Sequence, residues 1–265
     1  MIFGMPTLIE LNDLEATMDL CTRYGLSFVE LNMNLPQYQI EQLENVDFLM
    51  EMKDKYKLFY TIHLDENLNM CDFNYLVTNA YMETVERTIA VAKKLEIPVL
   101  NMHMNHGVHF TMPDGKIQLF EHYKDHYMEK MLYFRNKCEA VIGNSGIQIC
   151  IENTDGYQSY EKESIKMLLQ SDAFALTWDI GHSHACDNMD EAFIMNYEDR
   201  LKHFHIHDGI YQSNHMTLGT GSIDLNQRLL IAAKYDCRCV IETKTVDALE
   251  KSVKWLQLNQ YLKGY

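Results

Sequence analysis

The chain reads as an α/β protein folded as a single (β/α)8 (TIM) barrel over residues 1–265. Three observations predict this. Eight short apolar runs alternate with amphipathic helical patterns, as a closed parallel barrel requires. A length of 265 residues is long for one sandwich and ordinary for one α/β barrel. No Gly-x-Gly-x-x-Gly follows the first run, so an open dinucleotide-binding sheet is the weaker competitor. The units show no internal sequence repeat.

Residues 1–5 form the first expected strand. Asn12-Asp13 then opens a helix carrying Leu14, Met18, Leu20, Cys21 and Tyr24, and Gly25 stops it. A second strand over 27–31 ends near an acid, and one helix is expected over 37–56, with Leu43, Val46, Leu49, Met50 and Met52 apolar. The third strand, 58–63, ends in His63; a long helix over 73–95 leads to the fourth, 98–103, which ends in His103. The stretch 106–116 is long enough to be a functional loop, and 119–142 is helical. The fifth strand, 146–152, ends in Glu152, and a helix near 161–170 follows it. The sixth strand runs through Ala175-Leu176-Thr177-Trp178 into Asp179-Ile180-Gly181-His182. A helix near 189–195, a seventh strand over 203–208, an irregular loop over 209–222 and a helix over 225–235 come next. The eighth strand, 238–242, ends in Glu242, and a helix over 246–258 closes the chain.

Composition narrows the function. The formal charge of -15 argues against a nucleic-acid surface and an anionic membrane. No apolar run approaches the length of a bilayer span, and no basic-plus-apolar leader precedes the first strand. Seven cysteines, an odd number lying mostly in strand-like and helix-like segments, suit reduced thiols. A cytoplasmic protein is expected.

The chemistry lies at the strand ends. Asp179 closes an apolar strand that has no structural use for it, except as a cap on a following helix. Recurrence decides between cap and site. In a barrel the C-terminal strand ends converge on one face, and His63, His103, Glu152, Asp179, His205 and Glu242 each end or nearly end a different strand. Six such groups on one face would be an electrostatic defect without a cation. Glu152, Asp179, His205 and Glu242, from four consecutive strands, form the expected first shell of one divalent ion, Mn, Co, Zn or Mg. Three carboxylates and one imidazole favour an oxygen-rich site such as Mn²⁺. His63, His103, His182 and His215 surround it and could bind substrate oxygens or further metals. His207 shares the strand parity of His205, so the choice between them stays open.

Glu152, Asp179-Ile180-Gly181-His182, His205-Ile206-His207-Asp208, Leu218-Gly219-Thr220-Gly221-Ser222-Ile223-Asp224 and Val240-Ile241-Glu242 together resemble the xylose isomerase-like TIM-barrel superfamily. The resemblance covers essentially the whole chain and is nearest the sugar-phosphate isomerase/epimerase branch. It implies that Glu152, Asp179, His205 and Glu242 hold one divalent metal. It also implies that Glu152 and Glu242 act as acid and base on opposite faces of a hydroxy-ketone, through an enediolate. The substrate is then a sugar, sugar phosphate or polyol. The alternative is the zinc-dependent apurinic endonucleases of the same fold, which use up to three zinc ions. Residues matching their ligands are His63, His103, Glu152, Asp179, His182, His205, His215 and Glu242; one expected Asp is Ser213 here. The acidic balance and the lack of a basic strand-end loop weigh against that alternative. A barrel retained only for binding is the third class, and the intact ligand set argues against it.

Other features are expected to be structural. Met50, Met52, Met128, Met131 and Met167 are core filler. His106 and His109 belong to a solvated loop beside the site in preference to a substrate lid, and His122 and His126 to an outer helix. Gly219-Thr220-Gly221 is a turn before a helix in preference to a phosphate cradle. Lys244 is the nearest basic candidate for an anionic substrate group. Homo-oligomers occur in the family, but no patch in the sequence identifies an interface.

Overall fold

All eight expected strands form, and they pair in parallel around a closed barrel. The computed structural model describes residues 1–263; residues 264 and 265, which fall within the expected domain, lie outside the described residues. The first half of the chain supplies β1 (Ile2–Pro6), α1 (Leu14–Arg23), β2 (Phe28–Asn32), α2 (Ile40–Leu43), α3 (Val46–Tyr56), β3 (Phe59–His63), α4 (Tyr75–Leu95) and β4 (Val99–His103). A hairpin, β5 (His109–Met112) and β6 (Gly115–Gln118), then precedes α5 (Leu119–His122) and α6 (Lys124–Ile142). After these come β7 (Gln148–Glu152), α7 (Ser159–Leu168), β8 (Phe174–Asp179), α8 (Ile180–Ala185), α9 (Glu191–Met195) and β9 (Leu201–Ile206). A second hairpin, β10 (Asp208–Ile210) and β11 (Ser213–Met216), leads to α10 (Leu225–Lys234), β12 (Arg238–Ile241) and α11 (Val246–Leu258). The barrel strands lie in the order β1-β12-β9-β8-β7-β4-β3-β2.

Strand alternation divides the side chains between two environments. Val29, Leu31, Tyr60, Ile62, Leu100, Ile149, Ile151, Leu176, Trp178, Phe204 and Ile206 point outward and join the main core beneath the helices. The opposite parity fills the barrel itself, with Val99, Cys150 and Ala175 as a separate small apolar cluster. Gly4 leaves room there for Phe28: a Cβ at Gly4 would stand 2.5 Å from the Phe28 ring, which stacks on Phe59 at 5.1 Å. Above this apolar floor the interior turns polar. Glu30, Thr61, Asn101, Thr177, His203 and His205 are all buried there.

Four expectations need correction. The helix expected over 37–56 is three pieces, because Gln39 is extended (ψ 160°) and Asn45 (φ -75°, ψ 64°) also leaves the helical region between them. The helix over 119–142 is interrupted at Tyr123 (φ -107°, ψ 44°). The two stretches expected as loops, 106–116 and 209–222, overlap the β5–β6 and β10–β11 hairpins, which run on to Gln118 and start at Asp208. A helix, α8, starts directly after Asp179, with no apolar periodicity to mark it, so the capping role and the place in the cluster belong to the same residue. The Asp179 carboxylate caps it by accepting from the His182 N–H at 2.6 Å.

Candidate active site

His63, His103, Glu152 and Asp179 are the last residues of β3, β4, β7 and β8; His205 is the penultimate residue of β9, and Glu242 follows β12 directly. Register does the positioning. His103 lies beside Glu152, Asp179 beside His205, and Ile206 beside Ile241, so that Glu242 follows one step later. Glu152, Asp179, His205 and Glu242 thereby bring one ligand atom each within 4.8 Å of one another. All four are buried.

Neighbouring polar side chains hold each member. Asn101 Nδ2 donates to Glu152 Oε2, and Thr177 Oγ1 donates to Asn101 Oδ1 at 2.5 Å. His103 Nε2 lies 3.0 Å and His63 Nε2 3.5 Å from the same Glu152 oxygen. Asn153 pairs with the Asp179 backbone in both directions, each bond 2.9 Å. His205 Nδ1 stands 3.0 Å from Glu152 Oε1 and 3.2 Å from Glu242 Oε2, while its Nε2 lies 2.8 Å from Glu30 Oε1. Lys244 Nζ donates to Glu242 Oε1 at 2.8 Å.

The electrostatics follow from burial opposed by charge. Burial pushes the Glu152 and Glu242 carboxyls up, but His205, together with His103 at Glu152 and Lys244 at Glu242, outweighs it and holds both well below the usual carboxylate range. Burial likewise works against a charge on His205, and Glu152, Glu30 and Glu242 together raise it well above an ordinary imidazole. Burial also disfavours a charged His63, yet its bond to Glu152 raises it to about 9. For His215 burial wins, lowering it to about 4.

The donor set fits a divalent cation. Glu242 Oε2 is buried without a hydrogen-bond partner despite its approach to His205, and buried carboxylate oxygens are normally satisfied. Three carboxylates and one imidazole present hard oxygen donors with one nitrogen, a combination that accommodates Mn²⁺, Co²⁺, Zn²⁺ or Mg²⁺.

The remaining sequence candidates separate into two groups. His63 and His103 lie on the Glu152 side, with rings 4.8 Å apart. His182, His207 and His215 gather on the Asp179 side, with one ligand atom each within 4.8 Å of the others. Both His207 nitrogens are engaged: Nδ1 accepts from the His215 N–H at 2.7 Å, and Nε2 lies within 3.1 Å of both Asp179 carboxylate oxygens. His205, and not His207, therefore faces all three carboxylates. Gly181 makes this packing feasible, since a Cβ there would stand 1.9 Å from His207 Cε1. The Gly219 and Gly221 N–H groups donate to Asp208 Oδ2 at 3.0 and 2.8 Å, so the chain's own carboxylate fills the turn that resembled a phosphate cradle.

The cluster opens into a cavity of about 490 Å³ lined by Glu66, His103, His106, Glu152, Asp155, His182, His215, Glu242 and Lys244 among others. His106 is bound on both sides, Nδ1 2.7 Å from Glu161 and Nε2 2.5 Å from Asp155. Sequence reasoning passed over Glu30, Asn101, Asn153 and His203. Only Glu30, an acid between apolar strand neighbours, and His203, with the parity of His205, left a signal.

The fold and site define a (β/α)8 barrel with buried carboxylates and imidazoles gathered at its C-terminal end, and comparison with known proteins identifies its family. Residues 18–258 match the xylose isomerase-like TIM barrel family, and the chain belongs to it. No curated protein sequence matches. Among solved structures, a D-tagatose 3-epimerase-like protein superposes with a TM-score of 0.80 at 22% identity, covering 98% of this chain and 97% of that one. D-psicose 3-epimerase crystallised in the presence of D-fructose gives 0.72 at 12% identity, with both chains covered completely. The IOLI protein with a bound zinc atom gives 0.75 at 15% identity, again over the whole of both chains.

Proposed function

We propose that the protein is a divalent-metal-dependent sugar epimerase or isomerase. One observation carries this reading: two buried glutamates, Glu152 and Glu242, face each other across His205 at the floor of a cavity of about 490 Å³. Glu152, Asp179, His205 and Glu242 would hold the ion. When bound, the ion supplies Lewis acidity toward a substrate carbonyl and its adjacent hydroxyl. Glu152 and Glu242 are the proton-transfer groups: the carboxylate of one takes the proton α to the carbonyl, and the other, after taking a proton from solvent, delivers it to the opposite face or to the neighbouring carbon, while the first releases its proton to solvent. His182, His215 and His103 line the cavity and are placed to hydrogen-bond sugar hydroxyls.

Charge selects the substrate class. The cavity carries Glu66, Glu152, Asp155 and Glu242, while Lys244 is bonded to Glu242 and His106 to Asp155 and Glu161. A phosphate would find no unpaired lysine or arginine among the lining residues, so an uncharged ketose or polyol fits better than a sugar phosphate. The solved structures of D-tagatose 3-epimerase-like and D-psicose 3-epimerase proteins support the same class.

The test is metal content followed by turnover. About one ion per chain, with Mn²⁺- or Co²⁺-dependent incorporation of solvent deuterium α to the carbonyl of free ketohexoses, is the expected result. A second reading, zinc-dependent phosphoester hydrolysis, draws on His63 and His103 beside Glu152 and on the His182, His207 and His215 group. Two or three zinc ions per chain together with cleavage of abasic DNA would select it over the first. The double engagement of His207 and the acidic cavity count against it.

A further inference from the structure

We infer that Glu30 is a positioning residue that sets which nitrogen of His205 faces the metal centre. The inference rests on the proposed role of His205 as a metal ligand. Glu30 lies on β2, separated from β9 in the closed sheet by β1 and β12, yet its carboxylate reaches His205 across the barrel interior. It is 1% exposed and lies in the polar layer next to the cluster.

The contacts fix the chemistry. Glu30 Oε1 lies 2.8 Å from His205 Nε2. Glu30 Oε2 lies 2.8 Å from His203 Nε2 and accepts from Thr61 Oγ1 at 2.7 Å. An ionised carboxylate only accepts hydrogen bonds, so His205 must keep its proton on Nε2. An incoming ion can then displace only the proton on Nδ1, the atom directed at Glu152 and Glu242, 3.0 and 3.2 Å away. Metal-bound imidazoles commonly receive this support from a carboxylate on the far nitrogen, which also raises ligand basicity. His203 and Thr61 keep Glu30 aimed: Thr61 is its register partner on β3, and His203 is two residues before His205 on β9.

Packing alone gives no reason for this arrangement. Apolar residues of similar volume would fill a buried space at least as well as an ionised side chain. The wall of the interior facing the cluster instead carries a carboxylate with three donors converging on it. The other cluster members have their own supports, Asn101 for Glu152 and Asn153 for the Asp179 backbone. Glu30 supplies the corresponding support for His205.

The test measures Co²⁺ affinity and the visible spectrum of the Co²⁺-loaded protein, with and without substitutions at Glu30. Glu30→Leu is expected to weaken binding by about 10- to 100-fold and to alter the spectrum, because His205 loses its tautomer restraint. Glu30→Gln should rescue part of this, since its amide oxygen can still accept from His205. Thr61→Val, which keeps side-chain volume and removes one donor to Glu30, should shift affinity the same way by a few-fold, and it covers the case in which Glu30→Leu does not fold. In the Zn²⁺-loaded native protein, nitrogen-15 NMR should show His205 protonated at Nε2. Native affinity and spectrum in both Glu30→Gln and Thr61→Val, with His205→Ala impaired, would overturn the role of Glu30 and leave the metal centre standing. Unimpaired binding by His205→Ala, or none by the native protein, would instead overturn the metal-centre reading and this inference with it.

Discussion

Glu152 and Glu242 carry the proposed chemistry, and the surroundings of each make a distinct expectation. Neutral amides at these positions keep shape but remove the proton-transfer group. Glu152→Gln and Glu242→Gln should each lower kcat by about 10²- to 10⁴-fold while weakening metal binding only partly, measured by ketose epimerisation beside a metal titration. Full activity in either variant would remove that glutamate from the mechanism. His205 adds a pH dependence. In the metal-free protein it is raised well above an ordinary imidazole, so at neutral pH it holds a proton where the ion would bind. Metal uptake must displace that proton, so affinity should rise with pH and about one proton should be released per ion, as calorimetry in buffers of different ionisation enthalpy would show. Glu152 and Glu242 do not compete at this pH, because both carboxyls titrate far lower.

Among the elements, α8 supplies His182 to the cavity and the β5–β6 hairpin follows its lining segment 103–107; the hairpin was not legible in the sequence, and α8 only through the capping role open to Asp179. The hairpin presents Val108, Phe110, Met112 and Ile117 to solvent, so it lacks the half-buried alternation by which strands are recognised. It is tied down at its base by His106, held between Asp155 and the fully buried Glu161. The bonds to Asp155 and Glu161 raise His106 to about 10, and Asp155 falls to about 2. The signs are opposite. The His106 contribution is complete below the ordinary imidazole pKa of about 6.5 and is lost as pH rises through about 10. That of Asp155 is complete above about 4 and is lost as pH falls through about 2. Hydrogen exchange in the hairpin, corrected for intrinsic rates, should therefore be slowest near pH 4 to 6 and accelerate toward pH 10. A flat profile across that range would show that His106 does not anchor it. Helix α8 makes a separate expectation through Gly181. Gly181→Ala places a methyl group against His207, so it should cost about 1–3 kcal/mol of stability and disturb Asp179 through its bond to His207. A denaturation curve identical to that of the native protein would contradict the close packing.

For the whole molecule, three carboxylates gathered at one end of the barrel should make stability depend on a bound divalent ion. An ion at about a hundred times its Kd should add roughly 2.7 kcal/mol, so a chelator should lower Tm and Mn²⁺ or Zn²⁺ should restore it. Equal melting with and without metal would remove the cation from the account of this cluster. The barrel was legible because its strands are short, apolar and evenly interleaved with amphipathic helices, and burial enforces those patterns locally. The strand-end carboxylates and imidazoles were legible for a related reason: a polar residue closing an apolar strand of a barrel can point only toward the shared face. The sequence by itself therefore determined the closed sheet and the set of groups at its C-terminal end. It could not decide between His205 and His207, which share parity; only the closed barrel brings His205 against Glu152, Glu242 and Glu30, while α8 and the β10–β11 hairpin hold His207 against Asp179 and the His215 backbone. Nor could it pair Glu30 with a histidine 175 residues away. Periodicity records which face of its own strand a side chain takes, and contacts across the barrel interior depend on closure and register, which form only when all eight strands are assembled.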